Sequence, residues 1–475
     1  MYVKLILDIS YFVSYNANRQ GGMNMKKTKE LDYLHGSLWD KILLFAIPVA
    51  VSGMLQQLFN AADLAVIGKY CGSTELAAVG SNSAMISLIV SLFTGLSVGT
   101  NVVLAKYIGQ KEENKIKQVV HTSIIIAIVS GLLLIVLGMI FAKRLLVLML
   151  TPENILSLAA LYLRIYFLGM PFMMLYNFGA AILRTVGETN KTLVCLFVSG
   201  IVNVILNVFF VVCFHMSVSG VALATMLANG ISAAMVIYYL VNHTGAIKLN
   251  LKQLKYTKDI GLEIIKIGLP AGLQGMVFSI SNVIIQTSIN SFGSDIIAGS
   301  TAGANFEYIT SYVIQAFGQA TVTFVGQNYG AKNLERCKRI VMISCAMAVG
   351  GTMLVSGIFI LFKTSFLHLF TSEQVVVEYG SIRMMTVLAF IWLNAIVENF
   401  ASALRAMGYS TLPAIITVVG VCGIRIAIIA TLFKTYSTYN FLLKVYPISW
   451  VITAIVMVIT YFIMYKKVVL KMKKD

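Results

Sequence analysis

Residues 47–60 read IPVAVSGMLQQLFN, and residues 269–282 read LPAGLQGMVFSISN. A shift of about 222 positions lays Ile47-Pro48 on Leu269-Pro270, Gly53-Met54 on Gly275-Met276 and Asn60 on Asn282. One change of register later the match resumes: Gly109-Gln110-Lys111 falls on Gly330-Ala331-Lys332, Thr151 and Glu153 on Thr371 and Glu373, Asn177-Phe178 on Asn399-Phe400, and Arg184 and Gly187 on Arg405 and Gly408. Self-similarity over such a length means two copies of one structural unit.

Each copy is strongly apolar. Of the 475 residues 58% are hydrophobic and 12% charged, with a mean hydropathy of +0.85, whereas an ordinary soluble domain is roughly a quarter charged. A water-soluble fold is excluded. Stretches long enough to cross ~30 Å of hydrocarbon, about 20 residues each, run approximately 42–67, 77–105, 118–142, 155–183, 192–214, 217–241, 260–289, 296–325, 339–362, 375–404, 411–433 and 444–465. The expected fold is an all-α membrane protein with twelve transmembrane helices in two pseudo-symmetric six-helix lobes. Six helices per copy bring the second copy into the membrane from the same side as the first, so these are parallel repeats about an axis along the membrane normal, with a cavity between them near the midplane.

The net charge of +17 raises the question of nucleic acid, and its distribution answers it. With both termini cytoplasmic, the cytoplasmic flanks and loops from Lys26 to Lys474 hold 25 Lys and Arg and the external loops 6, the positive-inside pattern of a plasma-membrane protein. No nucleic-acid partner is expected. The division is a cytoplasmic segment 1–40, an N-terminal lobe 41–245, a basic linker 246–262, a C-terminal lobe 263–465 and a basic tail 466–475. Asp8 interrupts the one apolar run within residues 1–24, which makes a poor signal peptide or span. Either Met23 or Met25 is the true start or the segment is a disordered tail.

Six cysteines without CxxC spacing predict neither disulfides nor a transition-metal site, and Asn242-His243-Thr244, a cytoplasmic sequon, would go unused. No phosphate loop of the G-x-x-x-x-G-K-[ST] type occurs, so a primary pump is disfavoured. His35, His121, His215, His243 and His368 fall in loops or at helix ends, which argues against a membrane enzyme. No cofactor is expected.

An intramembrane charge costs at least ~2.5–3.5 kcal/mol at a helix centre and is a functional candidate by default. The carboxylates in question are Asp63, Glu307 and Glu398, and the arginines Arg164, Arg383 and Arg425. Asp63 has no cation within one turn, Lys69 being six residues on. It needs a partner on another helix or a bound ion, and burial without either favours the protonated form; the plain alternative is a capped structural carboxylate. Asn203 and Asn207, four apart, share one helix face and suit a hard cation or a relayed proton, or else hydrogen-bond two helices together. In the second copy Ile285 replaces Asp63 and Arg425 falls roughly at the place of Asn203. Arg425 would then neutralise Glu307 or Glu398, or take part in coupling. Pro48 and Pro270 each remove a backbone hydrogen bond and mark a hinge or a fixed kink.

Several segments resemble the multidrug and toxic-compound extrusion (MATE) family: Ile47-Pro48 followed by Asp63 and Leu76-Ala77-Ala78-Val79-Gly80, the loop Tyr107-Ile108-Gly109-Gln110-Lys111, the paired Leu183-Arg184-Thr185-Val186-Gly187 and Leu404-Arg405-Ala406-Met407-Gly408, Gly220-Val221-Ala222-Leu223-Ala224-Thr225, and Phe324-Val325-Gly326-Gln327-Asn328-Tyr329-Gly330. The resemblance spans about 40–465. It implies a monomeric antiporter that exports drugs or metabolites in exchange for protons or sodium. It also implies a cation site in the N-terminal lobe at Asp63, Asn203, Asn207 and Thr225. One branch of the family carries a second carboxylate at the position of Asn207, so here Asp63 alone would serve the N-terminal-lobe site; another has acids at the positions of Phe278 and Asn394, so that branch's second-lobe site is either absent here or replaced by Glu307 and Glu398. Pro48 is the hinge candidate, and Glu307, Glu398 and Arg425 are candidates in the second lobe. Lipophilic cations are the expected cargo if Glu307 or Glu398 faces the cavity. The competing function is a flippase for a lipid-linked precursor, whose phosphates would want a basic cavity, with Arg164, Arg383 and Arg425 as its support.

Overall fold

The structure, a computed structural model, describes residues 33–149 and 151–472. The expectations for residues 1–32, including the start at Met23 or Met25, and for the last three residues lie outside it. Among the described residues nine helices are long and apolar enough to span a membrane: α1 Trp39–Tyr70, α2 Ser73–Gln110, α3 Glu113–Leu148, α5 Thr189–Cys213, α6 Val218–Val241, α7 Lys258–Asn290, α9 Leu334–Leu361, α11 Thr411–Ala430 and α12 Tyr439–Met472. Two more spans are bent pairs, α4 (Glu153–Leu168 with Met170–Thr185) and α10 (Gln374–Leu388 with Trp392–Ala406). The 37-residue helix α8, Ser294–Gly330, completes twelve. It is less apolar than the others because it faces the other lobe with Gln315, Gln319, Thr323 and Gln327.

Two of the expected straight spans are therefore broken. The 47° bend in α4 follows Gly169, where Pro171 opens the second half and cannot donate to the preceding turn. The 41° bend in α10 follows a π-turn, Met384–Leu388, a wide turn that interrupts the regular hydrogen-bond ladder. The repeat extends to backbone detail: Gly187 and Gly408 both have φ of 89°, and Lys111 and Lys332 both have φ of 59°.

The buried residues form two cores, and the first helix of each copy contributes to both. The outer part of α1 (Leu55, Phe59, Ile67) packs into the core of its own copy. Its first turns (Ile42, Phe45, Ala46, Val49) and the preceding Tyr33 and Leu38 pack into the other. Phe324 of α8 meets Tyr33 and Phe45 edge-on, with ring centroids 4.4 and 5.9 Å away. Reciprocally, Ile260, Ile264 and Ile267 of α7 belong to the core of the first copy. The changeover in α1 falls just beyond Pro48, between Val49 and Leu55, and the Pro48 carbonyl accepts from Ser52 Oγ at 2.7 Å.

These exchanged half-helices close the lobes against each other on the face that carries the interlobe linker. Gly95 of α2 and Gly272 of α7 bring the two backbones so close that a Cβ on either would overlap the partner's main chain. Glu263 accepts from Lys106 Nζ at 2.7 Å and from Tyr107 Oη at 2.8 Å, Thr323 Oγ1 donates to Asn101 Oδ1 at 3.2 Å, and Gln327 Nε2 donates to the Thr185 carbonyl at 2.8 Å. Nearer mid-height, among the described residues, the lobes share the 2.7 Å bond from Arg184 to Gln319 and two long ones, Ser87–Ser279 and Tyr312–Gln57, each 3.4 Å. Toward the opposite face none joins them among the described residues, and the cleft opens there. Glu263→Ala removes a half-exposed ion pair worth roughly 0.2–1 kcal/mol. It is expected to raise, up to about five-fold, the labelling rate of a cysteine placed at the cleft residue Ser97, with the six native cysteines replaced, by a reagent added from the linker face; an unchanged rate would remove this bond from the closure.

Candidate functional site

The N-terminal lobe brings four expected residues into one buried cluster. Gly200 of α5 makes this geometry, because its missing side chain admits the ring of Phe59 where a Cβ would overlap it. That contact seats α1 directly on α5. Asp63 lies one turn beyond Phe59, and Asn203 and Asn207 lie one and two turns beyond Gly200, so the seat aligns the carboxylate with both amides.

Asn207 Nδ2 donates to Asp63 Oδ1 at 2.5 Å and, more weakly, to Asn203 Oδ1 at 3.3 Å. Thr225 of α6 donates to Asp63 Oδ2 at 3.4 Å and to the Val221 carbonyl at 3.0 Å. Asn203 Nδ2 reaches Thr225 Oγ1 at 3.4 Å. Asp63, Asn203 and Asn207 are buried, and Asn207 Oδ1 has no hydrogen-bond partner. A carboxylate, a hydroxyl and two side-chain amides thus converge in a water-poor place, a set able to hold a proton, or a hard cation once the Asn207 amide turns its oxygen toward Asp63. No cation among the described residues forms an ion pair with Asp63. The π-turn Phe209–Cys213 begins two residues after Asn207.

The second-lobe expectations need correction. Arg425 neutralises neither carboxylate. Glu307 is held by both of its oxygens, from Arg383 Nε at 2.5 Å and Nη2 at 2.9 Å, and Glu398 by Arg405 Nη1 at 2.8 Å. A bidentate guanidinium fork satisfies a carboxylate fully, which leaves Arg425 among the rings of Tyr446, Trp450 and Phe278.

Between the lobes lies a cleft of about 640 Å³. Its charged lining residues are Arg184, Arg405 and Glu398, among many neutral polar groups. Glu398 does face it, as expected of one of the two acids, but not as a free acid. Glu307 and the three arginines expected to make a basic cavity, Arg164, Arg383 and Arg425, do not line it; Arg164 is exposed on α4. Arg184 Nη1 donates across the cleft floor to Gln319 Oε1 at 2.7 Å, and Arg405 Nη2 to Gln274 Oε1 at 2.9 Å. The sequence reading used Arg184 and Arg405 as landmarks of the repeat and of the family resemblance, not as candidate site residues. Their recurrence at the same place in both copies was the available sign of a shared position in the cleft.

A family model, MatE, matches residues 48–209 and 270–431, starting at the same two prolines that register the repeat. The probable multidrug resistance protein YoeA of Bacillus subtilis is 26% identical over 404 residues, 82% of this chain and 86% of that protein. The multidrug export protein MepA of Staphylococcus aureus is 24% identical over 385 residues, 80% and 85% of the two chains. Among solved structures, an outward-facing multidrug resistance MATE transporter of the MOP superfamily superposes with a TM-score of 0.86 at 23% identity, covering 95% of this chain and all of that one. A MOP superfamily transporter from Pyrococcus furiosus gives 0.86 at 22% identity, covering 93% and 99%. The fold of those transporters extends over nearly the whole chain, and the family model recurs in both halves: the protein is a multi-pass membrane protein belonging to the MATE family of efflux transporters, and not an enzyme.

Proposed function

We propose that the protein exports drugs or other amphipathic organic compounds across the plasma membrane in exchange for protons or sodium, with Asp63, Asn203, Asn207 and Thr225 holding the coupling cation. The convergence of α1, α5 and α6 on one otherwise unpaired buried carboxylate carries this reading. The names of YoeA and MepA support drug efflux as the activity.

In this mechanism the linker face is cytoplasmic and the two lobes, 41–245 and 263–465, rock about the cleft. Helix α1 couples the steps because it is anchored in both cores. A cation bound at Asp63 draws the outer part of α1 onto α5 and α6, Pro48 takes up the bend, and the first turns of α1 pull on α8 of the other lobe. Closure on the cytoplasmic side then gives way to closure outside. A ligand shifts such an equilibrium only through its differential affinity for the two states. The cluster supplies that difference if the inward-facing form binds the cation less tightly.

A cationic cargo would have to compete with Arg405 for Glu398, so the preference for lipophilic cations rests on loosening one ion pair. The basic cleft floor, Arg184 and Arg405, favours the flippase reading over cationic cargo at this one place. Everted vesicles loaded with a fluorescent dye and given a pH gradient or a sodium gradient separately distinguish the readings. Gradient-driven accumulation under one of them is expected. No accumulation under either, together with scrambling of a labelled phospholipid, would replace antiport with lipid translocation.

A further inference from the structure

At the repeat-equivalent place of the Asp63 cluster, the second lobe carries a group of opposite sign. Arg425 on α11 and Tyr446 on α12 follow Asn203 and Thr225 at the interval that relates Pro48 to Pro270, to within one residue. Arg425 is fully buried and Trp450 nearly so. Arg425 Nε donates to Ser449 Oγ at 2.9 Å. The guanidinium carbon lies 4.3 Å from the Tyr446 ring centroid, 5.4 Å from that of Trp450 and 5.8 Å from that of Phe278. Its Nη1 and Nη2 reach no acceptor, and neither does Trp450 Nε1. Ser281, one turn from Phe278 on α7, is buried with its hydroxyl also unpartnered.

The unpartnered groups are therefore mainly hydrogen-bond donors, and the local charge has the matching sign. Arg383 shares the Tyr446 ring at 5.6 Å, but both oxygens of Glu307 are already committed to it. Two guanidiniums and one carboxylate leave one positive charge in the interior of a membrane-embedded lobe. An uncompensated buried charge is costly, and aromatic faces offset only part of that cost. π-turns adjoin both arginines, Met384–Leu388 directly after Arg383 and Val418–Gly423 just before Arg425, as one adjoins Asn207 in the first lobe. Wide turns of this kind recur at functional sites.

We propose that this pocket binds a small monovalent anion of chloride size, held by Arg425 Nη1 and Nη2 and by the Trp450 indole N–H. One negative charge balances the group, whereas a divalent anion would overshoot it. The first lobe would then hold a cation and the second an anion at related places in the two copies. The anion fixes the packing of α7, α11 and α12 and need not be transported.

The chain has three tryptophans, so the double variant Trp39→Phe/Trp392→Phe leaves Trp450 as the sole reporter. In lipid nanodiscs, iodide titrated against gluconate at constant ionic strength is expected to quench Trp450 saturably, and chloride to reverse the quenching competitively. In the same background Arg425→Gln is expected to show only weak, linear quenching, and Arg425→Lys an intermediate response. Replacing gluconate by chloride should also raise the melting temperature of the unmutated protein. Linear, chloride-insensitive quenching in the parent double variant would overturn the proposal, even if Arg425→Gln failed to fold.

Discussion

Asp63→Asn is expected to reduce gradient-driven efflux to the level of protein-free vesicles while the chain stays folded and inserted. The substitution conserves shape. An amide at position 63 still offers one oxygen to Asn207 Nδ2, now at 2.5 Å from the carboxylate, and removes only the negative charge. No second carboxylate shares the cluster among the described residues, so no neighbour takes over the cation. Coupling free energies between sites commonly lie at about 1–3 kcal/mol, roughly 5–150-fold, and loss of the only charged ligand belongs at or beyond the upper end. Dye efflux from reconstituted vesicles, paired with a thermal melt of the same preparation, measures both parts. Undiminished transport by a well-folded variant would remove Asp63 from the coupling step.

Gly200→Ala is expected to abolish transport by a different route and to destabilise the first lobe. The Phe59 ring occupies the space a Cβ would need, so α1 must move off α5, and overpacking of this kind costs about 1–3 kcal/mol. The displacement carries Asp63 away from both asparagines. The test is second-site repair within the same chain: Phe59→Leu in the Gly200→Ala background is expected to recover most of the transport and the melting temperature. Failure of every smaller residue at position 59 to restore either would mean that the contact does not set the site.

Much of the architecture was legible because two periodicities were strong. The apolar stretches and the recurrence of Ile47-Pro48 as Leu269-Pro270 predict twelve helices in two lobes, and the family match and the transporter fold bear this out. The spacing of Asn203 and Asn207 placed them on one face. Their meeting with Asp63 and Thr225 is a tertiary fact, expected only through the family resemblance and now seen as contacts between α1, α5 and α6.

Three features were hidden for physical reasons. Apolar periodicity shows that a helix face is buried but not in which lobe, so the exchange of α1 and α7 between cores left no trace in the pattern. The partner of a buried acid depends on which long side chain reaches it. Arg383 lies 76 residues from Glu307, and Arg405 sits at the end of its helix, where it reads as a loop cation. Arg425 thus looked like the partner of an acid that other arginines already hold. The bends at Gly169 and after Met384–Leu388 interrupt stretches of uniform hydropathy, and only Pro171 gave a local sign of one of them.

The central claim is that the Asp63 cluster binds a cation which cargo displaces. Cargo added to purified protein in nanodiscs, with released protons followed by a pH indicator and released sodium by a radiotracer, tests it most directly. One cation per chain should leave the wild-type protein on cargo binding and none the Asp63→Asn variant. Cargo binding with no cation released, or with equal release from both proteins, would contradict it.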